Sequence, residues 1–200
     1  VYLDSSAATL RRNEIAYNDA TYGGGLFADF SDAIVDENNV LTNTAVSGGG
    51  LYLDLSAASL SANLIAGNKA KEKNGGGFYL RASDATIKHN VVLSNTAVNV
   101  GGGGYLDRSN AEITGTTIRA NTANSGGGLY LDFSDASLNS NVIADNSAKV
   151  AGSGLYLVSS DSRLAHNTIS FNRGGDGSGV YVTRGGLDGA SVALVNTILS

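Results

Sequence analysis

Apolar residues recur along this chain at a spacing of 25 to 27 residues, and four such registers run from one end to the other. Each register is named here after its residue in the segment Gly48 to Ala70, which reads GGGLYLDLSAASLSANLIAGNKA. Repetition of this length is typical of folds in which one structural unit stacks on copies of itself.

The four registers are as follows. The Leu51 register contains Val1, Leu26, Leu51, Phe78, Gly104, Leu129, Leu155 and Val180. The Leu53 register contains Leu3, Ala28, Leu53, Leu80, Leu106, Leu131, Leu157 and Val182. The Leu60 register contains Leu10, Val35, Leu60, Ile87, Ile113, Leu138, Leu164 and Val192. The Ile65 register contains Ile15, Val40, Ile65, Val92, Ile118, Ile143, Ile169 and Ile198.

Within one unit the apolar residues alternate with others, as in Leu51-x-Leu53 and Asn63-x-Ile65. Alternation with period two predicts β-strands, and Gly, Ser and Asn divide each unit into three short ones. Such a strand buries its apolar face only when copies stack in parallel, at a spacing of ~4.8 Å. The sequence therefore predicts an all-β, right-handed parallel β-helix of about eight coils of 25–27 residues, because parallel crossovers are right-handed.

The uniformity of the repeat predicts one domain over residues 1–200. We see neither a capping helix nor a polar cover at the ends of the pattern. Because an open stack of strands is an adhesive edge, natural solenoids usually cap it. We therefore expect either a slice of a longer rod or a subunit that stacks end to end.

Composition removes several functional classes. The net charge is −5, and the 13 Lys and Arg residues form no stripe, which disfavours binding to nucleic-acid phosphates. No apolar run approaches membrane-spanning length. Cysteine is absent, which excludes disulfides, thiolate metal sites and a cysteine nucleophile.

Asparagine, glycine and serine recur at fixed positions, which predicts structural corners. Asparagine fills the Asn63 slot in most units and the Asn68 slot in seven, so stacked side-chain amides should hydrogen-bond along the rod. The glycine triplets could suggest phosphate binding, but that needs a helix to follow, and here a strand follows. Left-handed backbone at a tight corner explains the triplets better.

An aromatic column is the first candidate binding feature. It consists of Tyr2, Phe27, Tyr52, Tyr79, Tyr105, Tyr130, Tyr156 and Tyr181. Because each ring lies between two inward residues, the column should point outward and be exposed. Two interpretations stay open: ring stacking that stabilises the sheet, or a platform for sugar rings or a neighbouring surface.

An acidic column runs beside it. It contains Asp4, Asp29, Asp54, Arg81, Asp107 and Asp132. Carboxylates on adjacent coils either face solvent or attract a cation, and Asp4, Asp29 and Asp54 are the candidate calcium ligands, with no other cofactor expected. Arg81 could instead neutralise Asp54 and Asp107 without metal.

The combination of GGGLY with Ile65-Ala66-Gly67-Asn68 resembles the right-handed parallel β-helix repeats of bacterial surface proteins. It looks like the GG[A/L/I] and FxxN repeats of polymorphic outer-membrane and autotransporter-passenger proteins, with Ile or Val in place of Phe. The resemblance covers the whole chain. It implies an exported protein at the cell surface or outside the cell that serves as an adhesin, sheath or fibre.

Two functional classes follow. The first is a non-enzymatic extracellular structural or adhesive rod that binds itself, surface glycans or surface proteins. The alternative is a segment of a polysaccharide lyase or glycoside hydrolase, which the uniform decoration disfavours. Pectate lyases and polygalacturonases have a similar fold, with clustered Asp plus Arg, Lys or His in one or two coils. Here the one break in uniformity lies around Arg81, Asp107 and Arg108.

Overall fold

The computed structural model describes residues 1–185 and 189–200, which form thirty short β-strands and no helix. All strand pairs are parallel, and the strands stack into four sheets, here called A to D. Consecutive strands along the chain belong to different sheets, so the chain winds around a common axis and returns to each sheet one coil later. The predicted all-β parallel β-solenoid of about eight coils is confirmed.

Sheets A, B and C each contain eight strands. Sheet A comprises β1 (Tyr2–Asp4), β5 (Leu26–Asp29), β9 (Leu51–Asp54), β13 (Phe78–Arg81), β17 (Gly104–Asp107), β21 (Leu129–Asp132), β25 (Leu155–Val158) and β28 (Val180–Thr183). Sheet B comprises β2 (Thr9–Arg11), β6 (Ile34–Asp36), β10 (Ser59–Ser61), β14 (Thr86–Lys88), β18 (Glu112–Thr114), β22 (Ser137–Asn139), β26 (Asp161–Ala165) and β29 (Ser191–Val195). Sheet C comprises β3 (Glu14–Ala16), β7 (Asn39–Leu41), β11 (Leu64–Ala66), β15 (Val91–Leu93), β19 (Thr117–Arg119), β23 (Val142–Ala144), β27 (Thr168–Ser170) and β30 (Ile198–Leu199).

Sheet D corrects the prediction of three strands per coil. It comprises β4 (Asp19–Tyr22), β8 (Thr44–Ser47), β12 (Lys69–Ala70), β16 (Thr96–Ala97), β20 (Thr122–Ser125) and β24 (Ser147–Ala151). The inward residue of these strands is alanine, as at Ala45, Ala70 and Ala97. Because alanine is small and the strands are as short as two residues, this fourth strand leaves a weak apolar pattern in the sequence.

The core is one continuous column of aliphatic side chains inside the coils. Leu51, Leu53, Leu60 and Ile65 are all fully buried, and each pairs in register with the coils above and below. The predicted register is wrong in the last coil. There Leu164 pairs with Leu194 and Ile169 with Leu199, where Val192 and Ile198 were predicted; Val192 pairs instead with Ser162, and Ile198 with Thr168.

Buried asparagine ladders hold the corners between sheets B and C and between sheets C and D. Asn68 Oδ1 accepts the backbone N–H of Asn43 at 2.9 Å and the side-chain N–H of Asn43 at 3.1 Å. Asn68 Nδ2 in turn donates to Asn95 Oδ1 at 3.0 Å and to the Val40 carbonyl at 2.9 Å. The predicted amide ladder is confirmed, and it satisfies backbone groups that strands cannot reach at a bend.

Each corner contains a residue with a left-handed backbone conformation, and at the corners with a buried Ser or Asn it comes directly before that residue. At the glycine corner between sheets D and A, Gly48 has φ +63°, as predicted for the triplets. At the other three corners the left-handed residue is usually not glycine, as at Leu55, Ala62 and Ser94. The chain tolerates this backbone because the adjacent ladder fixes it from the inside.

Candidate functional site

The aromatic column exists, and its rings stack along the outside of sheet A. Centroids of neighbouring rings lie 4.6 Å apart for Tyr52 and Tyr79, 4.7 Å for Tyr79 and Tyr105, and 4.5 Å for Tyr130 and Tyr156. These distances are those of favourable aromatic pairs. The rings therefore pack on one another along the sheet, stacked at Tyr130 and Tyr156 but tilted or edge-on in the other two pairs.

The prediction that this column is exposed is wrong at its centre. Tyr52 and Tyr105 are 6% exposed and Tyr79 is 9% exposed. Tyr22 of β4 covers Tyr52 with a centroid distance of 5.1 Å, and Val100 packs on the same cluster. Alternation along a strand reveals which face a side chain occupies but not which neighbouring segment covers it, so the sequence could not show this.

Only the ends and flanks of the column offer ring surface. Tyr2 is 60% exposed, and Phe27, Tyr130, Tyr156 and Tyr181 are partly buried. Binding to the column stays a prediction for these residues. The three central tyrosines expose little of their ring surface to solvent.

Two central phenols hydrogen-bond to the acidic column. Tyr105 donates to Asp132 Oδ2 at 3.0 Å, and Tyr79 donates to Asp107 Oδ2 at 3.4 Å. Burial raises the pKa of Tyr52 to about 12 and raises the pKa of Tyr79 and Tyr105 further. Burial also raises the pKa of Asp132, against the lowering effect of the Tyr105 hydrogen bond.

The side chains of the acidic column lie in register, and Asp54 near its centre forms an ion pair with Arg81. Asp4, Asp29 and Asp54 pair along adjacent strands of sheet A. The Arg81 guanidinium engages both oxygens of Asp54, with Nε 2.7 Å from Oδ1 and Nη2 on Oδ2. Among residues 1–185 and 189–200, no group of three or more acidic or histidine side chains is placed to hold a metal ion. Calcium binding by Asp4, Asp29 and Asp54 stays a prediction.

A second set of acidic residues has a structural role. Asp32 Oδ1 accepts the backbone N–H of Ala57 at 2.9 Å, one coil away. Asp84 does the same for Asn110, and Asp135 for Asp161, both at 2.7 Å. These carboxylates form a ladder beside the corner between sheets A and B, which we call the A–B corner.

The exposed residue of the A–B corner differs from coil to coil. This corner column consists of Ser5, Phe30, Leu55, Ala82, Arg108 and Phe133, which have φ between 46° and 50°. Phe30 is 60% exposed, Leu55 45% and Phe133 41%. Bulky residues with positive φ are uncommon, and here the adjacent serines hydrogen-bond from coil to coil and hold this backbone, as the asparagines do at other corners.

A cleft opens where the corner column contains its smallest member, Ala82. Its volume is about 280 Å³, and its lining residues are Asp54, Leu55, Arg81, Ala82, Asp107 and Arg108. Leu55 and Arg108 stand on either side of Ala82, one coil away in each direction. The charged groups on neighbouring strands of sheet A form the floor.

Both carboxylates of the cleft are paired and covered. Arg108 Nη1 lies 2.9 Å from Asp107 Oδ1, and its guanidinium stacks 5.8 Å from the Phe133 ring centre. The side chains of Asp54 and Asp107 are only 10% and 15% exposed. Those of Arg81 and Arg108 are 50% and 70% exposed, so the guanidiniums face the solvent above their partners.

The sequence pointed to part of this site. Arg81, Asp107 and Arg108 stood out as the break in uniformity, and the structure brings them together. Leu55 and Ala82 were missed. The signal available was the residue that follows the acidic column in each unit, which changes size from one coil to the next.

Comparison with known proteins identifies the scaffold only. Residues 1–106, more than half of the chain, match the model of a family described as right handed beta helix region. No curated protein matches the chain. In the part of the chain that the structure describes, no helix is long and apolar enough to cross a membrane.

Proposed function

The chain belongs to the right-handed β-helix family, and we propose that it is a non-enzymatic rod with a structural and adhesive role outside the cell. The observation that carries this proposal is the pairing of charged groups in the cleft at Ala82. Asp54 is held by Arg81, and Asp107 by Arg108 and Tyr79. Hydrolysis of glycosides needs one carboxyl group that gives a proton and another that stays free to attack or activate water.

The interior supports a rigid, load-resistant rod. In the described residues, every buried side-chain nitrogen or oxygen has a hydrogen-bond partner. The Asn68 ladder runs without a break from Asn18 to Asn172, and eight coils at ~4.8 Å each give a length of roughly 38 Å. Such a scaffold presents surface side chains at fixed spacing, which suits adhesion.

Likeness to surface-protein repeats supports a location at the cell surface or outside the cell. In this structure the glycine triplet forms the corner between sheets D and A, and Asn68 of the Ile65-Ala66-Gly67-Asn68 motif belongs to a buried asparagine ladder. These motifs resemble the repeats of polymorphic outer-membrane and autotransporter-passenger proteins, with Ile or Val in place of Phe. Partners would be surface glycans, surface proteins or further copies of the rod.

Binding and assembly measurements on the purified chain test this proposal. We expect it to bind at least one partner on an array of immobilised glycans and cell-surface proteins, or to associate into filaments visible by light scattering and electron microscopy. No substrate turnover should accompany binding. A strictly monomeric chain with no affinity for glycans, proteins or itself would contradict the proposal.

One observation favours the alternative, a polysaccharide lyase or glycoside hydrolase. Asp54 and Asp107 occupy the same register two coils apart, or ~9.6 Å along the rod. Inverting glycosidases separate their carboxyl groups by about 6.5–9.5 Å, so this strand spacing lies at the upper limit of that range. An assay for new reducing ends on neutral and acidic polysaccharides, with and without calcium, decides this. Turnover that disappears in Asp107→Asn would replace the rod proposal.

A further inference from the structure

We propose that the cleft at Ala82 binds a single neutral sugar ring. This inference rests on the adhesive function proposed above and assigns to it a place and a class of ligand. Its site consists of the apolar walls Leu55 and Ala82, the charged floor and the Arg108 guanidinium.

The size of the cleft limits the ligand to about one ring. Clefts that enclose drug-sized ligands have volumes of ~300–1,000 Å³. At about 280 Å³, and open on one side, this cleft falls just below that range. A terminal residue or a single residue of a glycan chain fits such a space, whereas a longer stretch of chain would lie over the corner column.

The polar groups of the cleft match hydroxyl groups, which both donate and accept hydrogen bonds. Guanidinium groups have five N–H donors each. Arg81 uses two of them on Asp54 and Arg108 uses one on Asp107, so both keep donors for a ligand. The paired carboxylates lie covered beneath them and hold the guanidiniums in place. Neighbouring hydroxyls of one sugar can therefore accept hydrogen bonds from both guanidiniums together.

The apolar side of the cleft matches the C–H face of a sugar. Leu55 is 45% exposed, and the Ala82 methyl group lies between Leu55 and Arg108 in the corner column. Burying these surfaces against a ring adds a hydrophobic contribution that hydroxyl recognition alone lacks.

The charged residues in and around the cleft favour a neutral ligand over an anionic one. Both arginines of the cleft, Arg81 and Arg108, are already paired with an aspartate, so the cleft itself is close to neutral. Asp29 and Asp132 flank it along the acidic column, and Asp84 lies two residues after Ala82. The chain as a whole has a net charge of −5. A polyanion would therefore meet net repulsion, although two arginines are present.

The corner column itself supplies a substitution that closes the cleft. Phe30 and Phe133 occupy the position of Ala82 in other coils, with φ 46° and 47° against 46° for Ala82. Ala82→Phe should therefore be accepted by the backbone while its ring fills the cleft. Ser5→Phe is the matched control, because Ser5 holds the same exposed position with φ 50° in the first coil.

The experiment compares wild type, Ala82→Phe and Ser5→Phe. An array of immobilised neutral and uronic-acid oligosaccharides gives the preferred sugar, and titration calorimetry with the matching methyl glycoside gives the affinity. We expect wild type and Ser5→Phe to bind a neutral sugar equally, with little dependence on salt. Ala82→Phe should bind roughly ten-fold more weakly or not at all, because its ring occupies the space of the ligand.

Arg108→Met provides a second variant in case Ala82→Phe disturbs the fold. It keeps an apolar stem over Phe133 but removes the donors, and it should also weaken binding roughly ten-fold. Unchanged neutral-sugar affinity in both variants would overturn this inference and leave the adhesive function standing. A preference for uronic acids, or binding to proteins or self-association with no sugar bound, would overturn it in the same way. Polysaccharide turnover or the absence of every kind of binding and assembly would instead overturn the proposed function.

Discussion

The A–B corner and the corner between sheets C and D have similar backbone turns but different hydrogen bonds. At the C–D corner, Asn68 accepts two hydrogen bonds from Asn43 and donates one to Asn95. At the A–B corner, Ser56 Oγ accepts one from the Ser31 backbone at 2.8 Å and donates to the Asp54 carbonyl of its own turn at 2.7 Å. Amides therefore link side chain to side chain along the rod, whereas the serines do not.

The two corners therefore have different roles: the C–D corner holds the coils together, and the A–B corner presents side chains to the solvent. The C–D corner holds neighbouring coils together through fully buried amides. The A–B corner is held by fewer bonds, and it carries the bulky exposed side chains of Phe30, Leu55 and Phe133 and the cleft at Ala82. We infer that the two corners respond differently to perturbation, which the first two of four predictions test directly; the other two test the packing of sheet A and the amide pairing between coils.

Alkaline pH should have the largest effect, because burial raises the pKa of several phenols that support the A–B side. The pKa of Tyr52 rises from 10.0 to about 12, and those of Tyr79 and Tyr105 rise further. Above pH 10 the unfolded chain loses phenol protons that the folded chain keeps, so the free energy of unfolding should fall across pH 10–12. Denaturant unfolding at pH 8 and pH 11 measures this loss.

Tyr105→Phe is the control for the alkaline prediction. It removes one buried phenol and the hydrogen bond to Asp132, so it should be less stable than wild type at pH 8 but lose less stability at pH 11. Phenolate absorbance that titrates near pH 10 in the folded protein, with no loss of stability, would show that burial does not control these groups.

Replacing one buried hydrogen-bonding side chain at each of the two corners should have the next largest effect. Asn68→Leu leaves the Asn43 backbone N–H and the Val40 carbonyl unpaired inside the rod, and we expect it to lower the free energy of unfolding by about 3–5 kcal/mol. Ser83→Ala, at the A–B corner, leaves the Ser56 N–H unpaired and should cost about 1–2 kcal/mol. Equal losses in chemical denaturation would remove the distinction between the corners. Asn99→Ala, on the surface, controls for the residue type.

Most of the fold could be predicted from the sequence, because large aliphatic residues such as Leu60 and Ile65 recur in every coil and only stacking buries them. Sheet D could not, since Ala70 and Ala97 give little contrast with their neighbours. The cleft was only partly predictable. Arg81 is a visible exception in an acidic column, but a cavity depends on the difference in size between residues about 26 positions apart that become neighbours only in the coil.

A smaller effect should follow from adding a methyl group at Gly104, the glycine of the Leu51 register. Phe78 occupies the space that Gly104 leaves, and a methyl group on Gly104 would lie 2.2 Å from Phe78 Cζ. Gly104→Ala should therefore cost about 1–3 kcal/mol through overpacking. Phe78→Leu together with Gly104→Ala should recover part of that loss, and a double-mutant cycle measures the coupling. Strictly additive losses would show that the two residues do not share this space.

The smallest predicted change is a gain in stability at the interrupted rung of the Asn63 ladder. Thr116 stands where the neighbouring coils have Asn90 and Asn141, and its hydroxyl accepts the Asn90 backbone N–H at a long 3.3 Å. Thr116→Asn restores an acceptor for the Asn90 amide and a donor toward Asn141 Oδ1, which should add about 1 kcal/mol.

Chemical denaturation of Thr116→Asn measures this gain, with Thr114→Asn on the outer face as its control. Because Thr116 is 1% exposed and Asn is of similar size, the substitution needs little rearrangement of the core. A gain for Thr116→Asn alone would show that amide pairing between coils, and not asparagine at any corner position, stabilises the rod. A loss would mean that the ladder tolerates an interruption at this position only with the side chain that is already there.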